Sequence, residues 1–305
     1  MGHYAYKDSV LSYLMLDKDR FGITMLHPTA QNGIVWENNW DNAIKRTVNS
    51  AGIDKRNSDP NDKMVSLHCP SHSSQGNQLI VYGNGTAKLR GQHPRLYINK
   101  ANWEPLWLNT EMTCYAQFIK PLVMSQSYTT FRLCSRSNHQ GEYKCVCNGK
   151  GYAHEFNIYQ NSMTIKDSRF RKELLHPHYA NMKTAAAKGF DARKWIGQKF
   201  ICRNDAKDNV VIQAYVDYSD GYNGGDWKQI GQYIDEGVNW GITEDKELQG
   251  IEKDCLKCKG DSDCVDPAPA KPYNEKITRK GASCYLRTDF VSDCYFKKFS
   301  IREIA

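Results

Sequence analysis

The sequence predicts an all-β protein, folded as an antiparallel β-jelly-roll sandwich of two packed sheets. From Met64 onward, short runs of alternating apolar and polar residues recur about every ten residues, with turn signals between them. The triplet GNG at 83–85 is one turn signal, and the pair DN at 208–209 is another. Segments with a helical period are few, and the best lies at 180–188. Many short strands with regular turns are typical of a sandwich or jelly roll.

The elements follow one another in a consistent order. A segment with a helical pattern at 9–16 precedes a strand at 21–29, which Pro28 stops. Trp36 and Trp40 either form a sugar-stacking platform or pack under a loop, and the polar residues 43–62 predict a surface loop. The later predicted strands are 64–69, 77–83, 95–99, 110–118, 129–136, 152–159, 162–167, 170–175, 197–204, 209–218 and 294–304.

Alternation within two of these strands predicts which side is polar, because successive side chains point to opposite faces of a sheet. The apolar faces consist of Met112, Cys114, Ala116, Phe118, Val210, Ile212, Ala214 and Val216. The opposite faces carry Glu111, Thr113, Tyr115, Gln117, Val211, Gln213, Tyr215 and Asp217. We therefore expect one face to pack on the second sheet and the other to meet solvent or a ligand.

Composition limits the possible partners. The 305 residues are 25% charged and 40% hydrophobic, and we expect one domain over 1–305. No apolar run reaches the length of about 18 residues that a membrane-spanning helix needs. The net charge of +7 is spread along the chain, so an acidic polysaccharide is favoured over nucleic acid as an anionic partner. The first residues lack a signal-peptide pattern, so the chain is either a mature form whose leader was replaced by Met1 or a protein that does not use that route.

Eleven cysteines favour disulfides and a secreted or cell-surface location. The spacings include Cys145-x-Cys147 and Cys255-x2-Cys258-x5-Cys264, followed by Cys284 and Cys294. A zinc site would prefer two CxxC pairs, and only one is present. We predict a charged, Cys-rich insertion at 241–283, pinned by disulfides before the last strand. Because the number of cysteines is odd, we expect one free thiol, at Cys69, Cys134 or Cys202. Asn84-Gly85-Thr86 is a glycosylation sequon, which is compatible with secretion.

Several of these runs resemble a known group of proteins. The runs are RLYIN at 95–99, NTEMTCYAQF at 109–118, RLCSRSNH at 132–139, FRKELLHPHYA at 170–180, VVIQAYVDYSDGYNGGDWKQIG at 210–231 and YFKKFSIREI at 295–304. Together they resemble the secreted concanavalin A-like jelly-roll domains of lectins, glucanases and polysaccharide lyases, over roughly 21–240 and 284–305. The resemblance implies the jelly-roll fold and a polysaccharide partner.

Two departures from that group affect the expected activity. Hydrolases of this fold carry an E-x-D-x-E triplet, whereas Glu111 is followed by Thr113 and Tyr115. A retaining glycosidase needs two carboxyl groups about 5 Å apart, so that mechanism is disfavoured. Of the lyase motifs, only loose echoes such as Arg132 and Arg136 remain.

The residues for polysaccharide β-elimination concentrate in the stretch 129–179. Elimination needs a group that neutralises the uronate carboxylate, a base for the α-proton and an acid for the leaving oxygen. The predicted catalytic residues are Arg132, Arg136, His139, His154, Lys172 and His176. The predicted substrate-binding floor is Tyr115, Gln117, Gln213 and Tyr215, all converging on one groove. The alternative is a non-catalytic carbohydrate-binding or structural surface protein.

Two further patterns are compatible with metals, although no cofactor is required. His176 and His178, with His154 or His139 nearby, have the types and spacing of zinc or copper ligands. The oxygen-rich, glycine-containing loop with Asp217, Asp220, Asn223 and Asp226 is compatible with calcium. A plain hairpin with Asn/Gly turn chemistry explains the same loop.

Overall fold

Antiparallel strands make up most of the computed structural model, which describes residues 4–7, 10–13, 17–38, 40–51, 56–68, 76–122, 128–138, 150–175, 178–179, 183–185, 187–238, 240 and 275–305. The strands are β1 (Tyr4–Lys7), β2 (Val10–Tyr13), β3 (Val35–Asn38), β4 (Arg46–Asn49), β5 (Arg56–Asp59), β6 (Asp62–His68), β7 (Gln78–Val81), β8 (Thr86–Gly91), β9 (Arg95–Asn99), β10 (Thr110–Pro121), β11 (Tyr128–Ser137), β12 (Gly151–Tyr159), β13 (Ile165–Leu175), β14 (His178–Tyr179), β15 (Lys183–Ala185), β16 (Ile196–Asn204), β17 (Val210–Asp217), β18 (Lys228–Asp235), β19 (Ser283–Asp289) and β20 (Val291–Glu303). No α-helix occurs within these ranges, and a single 3-10 turn covers Tyr222–Gly224.

Two sheets of nine strands form the two layers. The first sheet has the order β18-β17-β16-β10-β20-β8-β7-β4, and β3 also pairs with β20. The second sheet has the order β14-β13-β12-β11-β19-β9-β6-β5, and β15 also pairs with β13. β1 and β2 form a separate hairpin. The predicted all-β antiparallel sandwich is therefore confirmed. None of the described residues belongs to a helix long and apolar enough to span a membrane.

One apolar core lies between the sheets and draws on both. The predicted apolar faces of β10 and β17 are buried there, which confirms the alternation in these strands. Trp36 and Trp40 are also core residues, with edge-on contacts to Phe299 and Phe296. Of the two roles considered for these tryptophans, the structure therefore shows packing.

Four local predictions were wrong. The polar residues predicted as a surface loop at 43–62 contain the strands β4 and β5, in which Val48 and Asp59 are buried. The helical patterns at 9–16 and 180–188 belong in part to strands, because Val10–Tyr13 pairs with β1 and Lys183–Ala185 pairs with β13. The segment predicted as a strand at 21–29 makes only isolated bridges, at Thr24 and Thr29. Its backbone N–H groups at Leu26 and His27 instead donate to the Glu111 side chain of the first sheet.

The five described cysteines are free and buried: Cys114, Cys134, Cys202, Cys284 and Cys294. The sequence predicts Cys284 and Cys294 beside the disulfide-rich insertion, but the alternation of side chains along β19 and β20 turns both into the core. The other six cysteines, and residues 241–274 of the insertion, lie outside the described residues. Within the described chain, no disulfide supports the predicted framework.

Candidate functional site

The outer face of the first sheet carries polar side chains at its centre. In the register of the sheet, Glu111 lies opposite Arg302, and Thr113 lies opposite both Lys199 and Ser300. These side chains point away from the core because their neighbours Met112 and Cys114 on β10 point into it. The polar side chains at the centre of the first sheet therefore lie on its outer face.

Glu111 is the anchor of this face. Its buried carboxylate is 2.9 Å from Lys199 Nζ and 3.0 Å from an Arg302 guanidinium nitrogen. It also accepts hydrogen bonds from the backbone N–H groups of Leu26 and His27, at distances from 3.0 to 3.2 Å. Burial alone would raise the pKa of Glu111, but the two cations and these donors lower it below its usual value.

These contacts hold residues 17–31 across part of the outer face. The Thr24 N–H donates to the Gly224 carbonyl, and the Ser300 hydroxyl donates to Asp19. Arg302 donates to the His27 carbonyl and, at 2.8 Å, to the Thr29 hydroxyl. The segment therefore covers the buried charges and presents the His27 side chain beside β17.

We call His27, Arg203, Gln213 and Tyr215 the His27 cluster. Burial lowers the pKa of His27, and Arg203 lowers it further, while Glu111 and the Gln213 side chain act in the opposite direction. Burial also raises the pKa of Tyr215. Within the described part of the chain, Arg203 Nε is buried without a hydrogen-bond partner. All four side chains are partly accessible, so the cluster presents an imidazole, an amide, a phenol and a guanidinium on the outer face.

A second group crosses the same face on paired strands. Gln117 lies opposite Tyr295, which lies opposite Lys88. Trp195 and Tyr82 flank this row: the Tyr82 ring stacks on Tyr295 with centroids 5.9 Å apart. All five side chains are half-exposed, and we call them the aromatic row.

Ion pairs balance the charge of the aromatic row. Lys88 Nζ is 2.8 Å from Asp293 and 5.6 Å from the centre of the Tyr295 ring. Lys297 lies 4.2 Å from the Trp195 ring and 2.8 Å from Asp220. The row thus combines partly accessible aromatic rings with hydrogen-bonding groups and little net charge.

The four residues of the predicted binding floor lie on this outer face, because each alternates with core residues along β10 or β17. Gln213 donates to Gln232 at 2.8 Å, and Gln117 donates to the Arg193 carbonyl at 2.7 Å. Tyr215 is half-exposed within the His27 cluster. Tyr115 differs because it is buried beside Trp227, and its hydroxyl donates to Asp217 at 2.8 Å.

The predicted convergence of Arg132 and His154 on that floor is wrong. Arg132 lies on the outer face of the second sheet, where its guanidinium is 2.7 Å from Glu155. Its neighbours Phe131 and Leu133 point into the core, so Arg132 must point outward. Glu155 also binds Arg171 at 2.6 Å, so a salt-bridge network accounts for these cations.

His154 lies between the sheets and not on a surface. It contacts the rings of Phe156 and Phe170, and the Gln198 amide reaches both its ring and its carbonyl, at 2.6 and 3.0 Å. Burial lowers the pKa of His154 to about 3. Lys172 is likewise in the interior, paired with Asp235.

Arg136 is a structural anchor at the end of β11. Its guanidinium donates to the Leu108 carbonyl at 2.7 Å, the Ile277 carbonyl at 2.5 Å and the Asn109 side chain at 3.2 Å. It is fully buried, so it has no access to a ligand groove. His139, His176 and the side chain of His178 lie outside the described residues.

The proposed calcium loop has another organisation. Asp217 accepts hydrogen bonds from the Ser219 N–H and hydroxyl, the Gly221 N–H, the Asp226 N–H and the Tyr115 hydroxyl. These donors lower the pKa of Asp217 although burial opposes them. Asp220 pairs with Lys297 and Asp226 with Lys228, while Asn223 sits in the 3-10 turn.

The described residues contain no group of three or more His, Cys, Asp or Glu side chains that could hold a metal ion. The hydrogen bonds to Asp217 explain the loop as a turn built around one carboxylate. Calcium binding at Asp217, Asp220, Asn223 and Asp226 therefore stays a prediction without support from this geometry.

Comparisons with known proteins concern the fold. A scan against protein-family models found no match, and a search of the curated proteins found none either. Among solved structures, the binding domain of botulinum neurotoxin serotype D is 10% identical with a TM-score of 0.37, covering 81% of this chain and 45% of that chain. Basic winged bean lectin with Tn-antigen is 9% identical with a TM-score of 0.35, covering 88% and 98%. Arcelin-5, a lectin-like defense protein from Phaseolus vulgaris, is 9% identical with a TM-score of 0.34, covering 84% and 96%.

This chain spans less than half of the neurotoxin chain and nearly all of each of the two legume proteins. At this identity and TM-score, the likeness carries no information about ligands.

The sequence interpretation missed His27 and Arg203. Alternation along 197–204 places Arg203 on the same face as Lys199, so that signal was present. His27 carries no such signal, because its position depends on how residues 17–31 cross the sheet.

Proposed function

We propose that the outer face of the first sheet binds a carbohydrate chain. The observation that carries this proposal is the aromatic row, in which Trp195, Tyr295 and Tyr82 stay half-exposed beside an amide and a lysine. Partly exposed aromatic rings with a few fixed polar groups suit ligands that have both apolar faces and hydroxyl groups. Sugar rings have this character.

The size of the row fits an extended ligand. From Trp195 to Tyr82 it crosses β16, β10, β20, β8 and β7, which are neighbours in the first sheet. With strands about 4.8 Å apart, the row is about 20 Å long. This length suits several sugar units rather than one.

The charge balance of the row favours a neutral glycan there. Lys88 is paired with Asp293, and Lys297 is paired with Asp220. An acidic polysaccharide would find a cationic partner in the His27 cluster, at the partly accessible Arg203. The aromatic row therefore suits a neutral glycan, whereas the His27 cluster suits an acidic one.

The test is a screen of neutral and acidic glycans against the wild-type protein and matched tyrosine variants. Tyr295→Ala should weaken binding about tenfold, because a packed aromatic contact contributes about 1–2 kcal/mol. Tyr159→Ala is the control, since Tyr159 is 41% exposed and lies on the second sheet. Equal affinities for both variants would exclude the aromatic row as the binding surface.

The His27 cluster supports elimination of an acidic glycan as a second candidate function. A neutral His27 can accept the α-proton, a protonated Tyr215 can donate to the leaving oxygen, and Arg203 can neutralise the carboxylate. Glu111 is a poor nucleophile because two cations and two N–H groups already engage its carboxylate.

The same screen tests this second candidate if bound glycans are followed for the ultraviolet absorbance of an unsaturated product. A lyase should lose product formation in His27→Ala and Tyr215→Phe while Tyr159→Ala retains it. Binding of acidic glycans without any unsaturated product would leave carbohydrate binding as the function and remove elimination.

A further inference from the structure

A lysine and an aspartate from different sheets meet in the interior of the sandwich. Lys172 lies on β13 of the second sheet and Asp235 at the end of β18 of the first, and both are fully buried. Lys172 Nζ is 2.5 Å from Asp235 Oδ2. We propose that these two side chains condense into an isopeptide bond, an amide that joins the two sheets covalently.

The burial of this pair favours the uncharged product. Two ions removed from water retain a desolvation cost that their attraction offsets only in part. Burial lowers the pKa of Lys172, although Asp235 raises it in part. Less free energy is therefore needed to form the neutral amine. An amide between the same atoms carries no charge.

Both oxygens of the carboxyl group already receive hydrogen bonds. The Tyr152 hydroxyl donates to Oδ2 at 2.6 Å, and the Gly237 N–H donates to Oδ1 at 3.0 Å. The Ile277 N–H donates to the Tyr152 oxygen at 3.1 Å. Burial and Asp235 raise the pKa of Tyr152, so its hydroxyl keeps a proton. Oδ1 thus has a donor for developing negative charge, and Oδ2 has an acid beside it.

The condensation balances without another reagent. A proton passes from Nζ to Oδ2, which turns the ion pair into an amine and a carboxylic acid. The Nζ lone pair attacks Cγ of Asp235, the N–C bond forms, and the Oδ1 that becomes negative is stabilised by the Gly237 N–H. The Cγ–Oδ2 bond then breaks, and Oδ2 leaves as water with a second proton relayed from Nζ through the Tyr152 hydroxyl.

Aromatic rings enclose the pair. Lys172 Nζ lies 5.3 Å from the Trp240 ring and 6.0 Å from the Tyr152 ring, and Trp240 also packs on Tyr233. Trp240 is 1% exposed, so bulk water has little access to the reacting atoms. Exclusion of water favours condensation and protects the amide from hydrolysis.

The experiment compares intact masses of the reduced full-length protein and its Lys172→Arg variant. The wild-type protein should be lighter by one water than its sequence requires, and the variant should have its full sequence mass. Trypsin should release the peptides that begin at Lys172 and Gln229 as one joined species. A wild-type protein with its full sequence mass, in which trypsin cuts after Lys172 and releases the peptide that begins at Gln229 alone, would overturn the proposal.

Asp235→Asn gives a second test that does not depend on losing the fold. The asparagine amide leaves as ammonia, so the crosslinked variant should have the same mass as the crosslinked wild-type protein. Asp235→Ala should remain uncrosslinked. A joined peptide in Asp235→Ala would assign the bond to another residue and also overturn the proposal.

Discussion

At the scale of single residues, the side to which a strand turns each polar group decides its role. Arg132 and His154 both lie on strands next to one another, yet one points outward to Glu155 and the other inward to Gln198. The sequence interpretation treated both as surface groups because polar residues are usually exposed. Polar residues are also buried where each finds a partner, as these two do.

The burial of His154 makes a prediction about acid stability. Its pKa falls from 6.5 to about 3 on folding, so the unfolded chain binds the proton more readily between these values. The contribution of neutral His154 to the free energy of unfolding is therefore fully present above pH 6.5, and it decreases as the pH falls below that value. The free energy of unfolding should drop by up to about 1.4 kcal/mol per pH unit, and the decrease should end near the folded pKa.

Urea unfolding of the wild-type protein and His154→Gln over this pH range measures the effect. The glutamine variant cannot take up the proton, so the difference between the two proteins should shrink or reverse as the pH falls. Parallel pH profiles would show that folding does not lower the pKa of His154.

At the scale of elements, residues 17–31 act as a strap across the first sheet without being one of its strands. Leu26 and His27 bond to the Glu111 carboxylate, and Arg302 bonds to the His27 carbonyl. Strand-like composition at 21–29 could not predict this arrangement, because the acceptor is a side chain 84 or 85 residues away.

Glu111→Gln should loosen this strap and destabilise the protein. Loss of the carboxylate leaves Lys199 and Arg302 buried without their shared anion, at a cost of about 3–5 kcal/mol. Hydrogen exchange of the Leu26 and His27 amides should accelerate along with the fall in unfolding free energy. Glu104→Gln is the control, because its pair with Lys100 is exposed at 3.5 Å and should contribute less than about 1 kcal/mol. Unchanged exchange at Leu26 in Glu111→Gln would argue against the anchoring role.

At the scale of the whole molecule, the sequence predicted the sandwich and one polar face, but not how the faces combine. Alternation in β10 and β17 correctly grouped Gln117, Gln213 and Tyr215, because the period of two is local. The sides of β11 and β12 that meet the core depend on packing between sheets. This packing places Arg132 on the outer face and His154 in the core, so the two side chains cannot lie in one groove. The sequence of a single strand does not show which of its faces meets the other sheet.

The core itself makes the last prediction, which concerns thiols. Burial raises the pKa of Cys114, Cys134, Cys202, Cys284 and Cys294, to about 12 for Cys134, so these thiols should react slowly with alkylating reagents in the native protein. Denaturation without reductant should expose at least these five thiols, because all five are free in the fold. Cys294→Ser should lower the count by one without changing the native reaction rate. Fewer than five reactive thiols after denaturation would mean that core cysteines are oxidised and that the two sheets are packed differently around them.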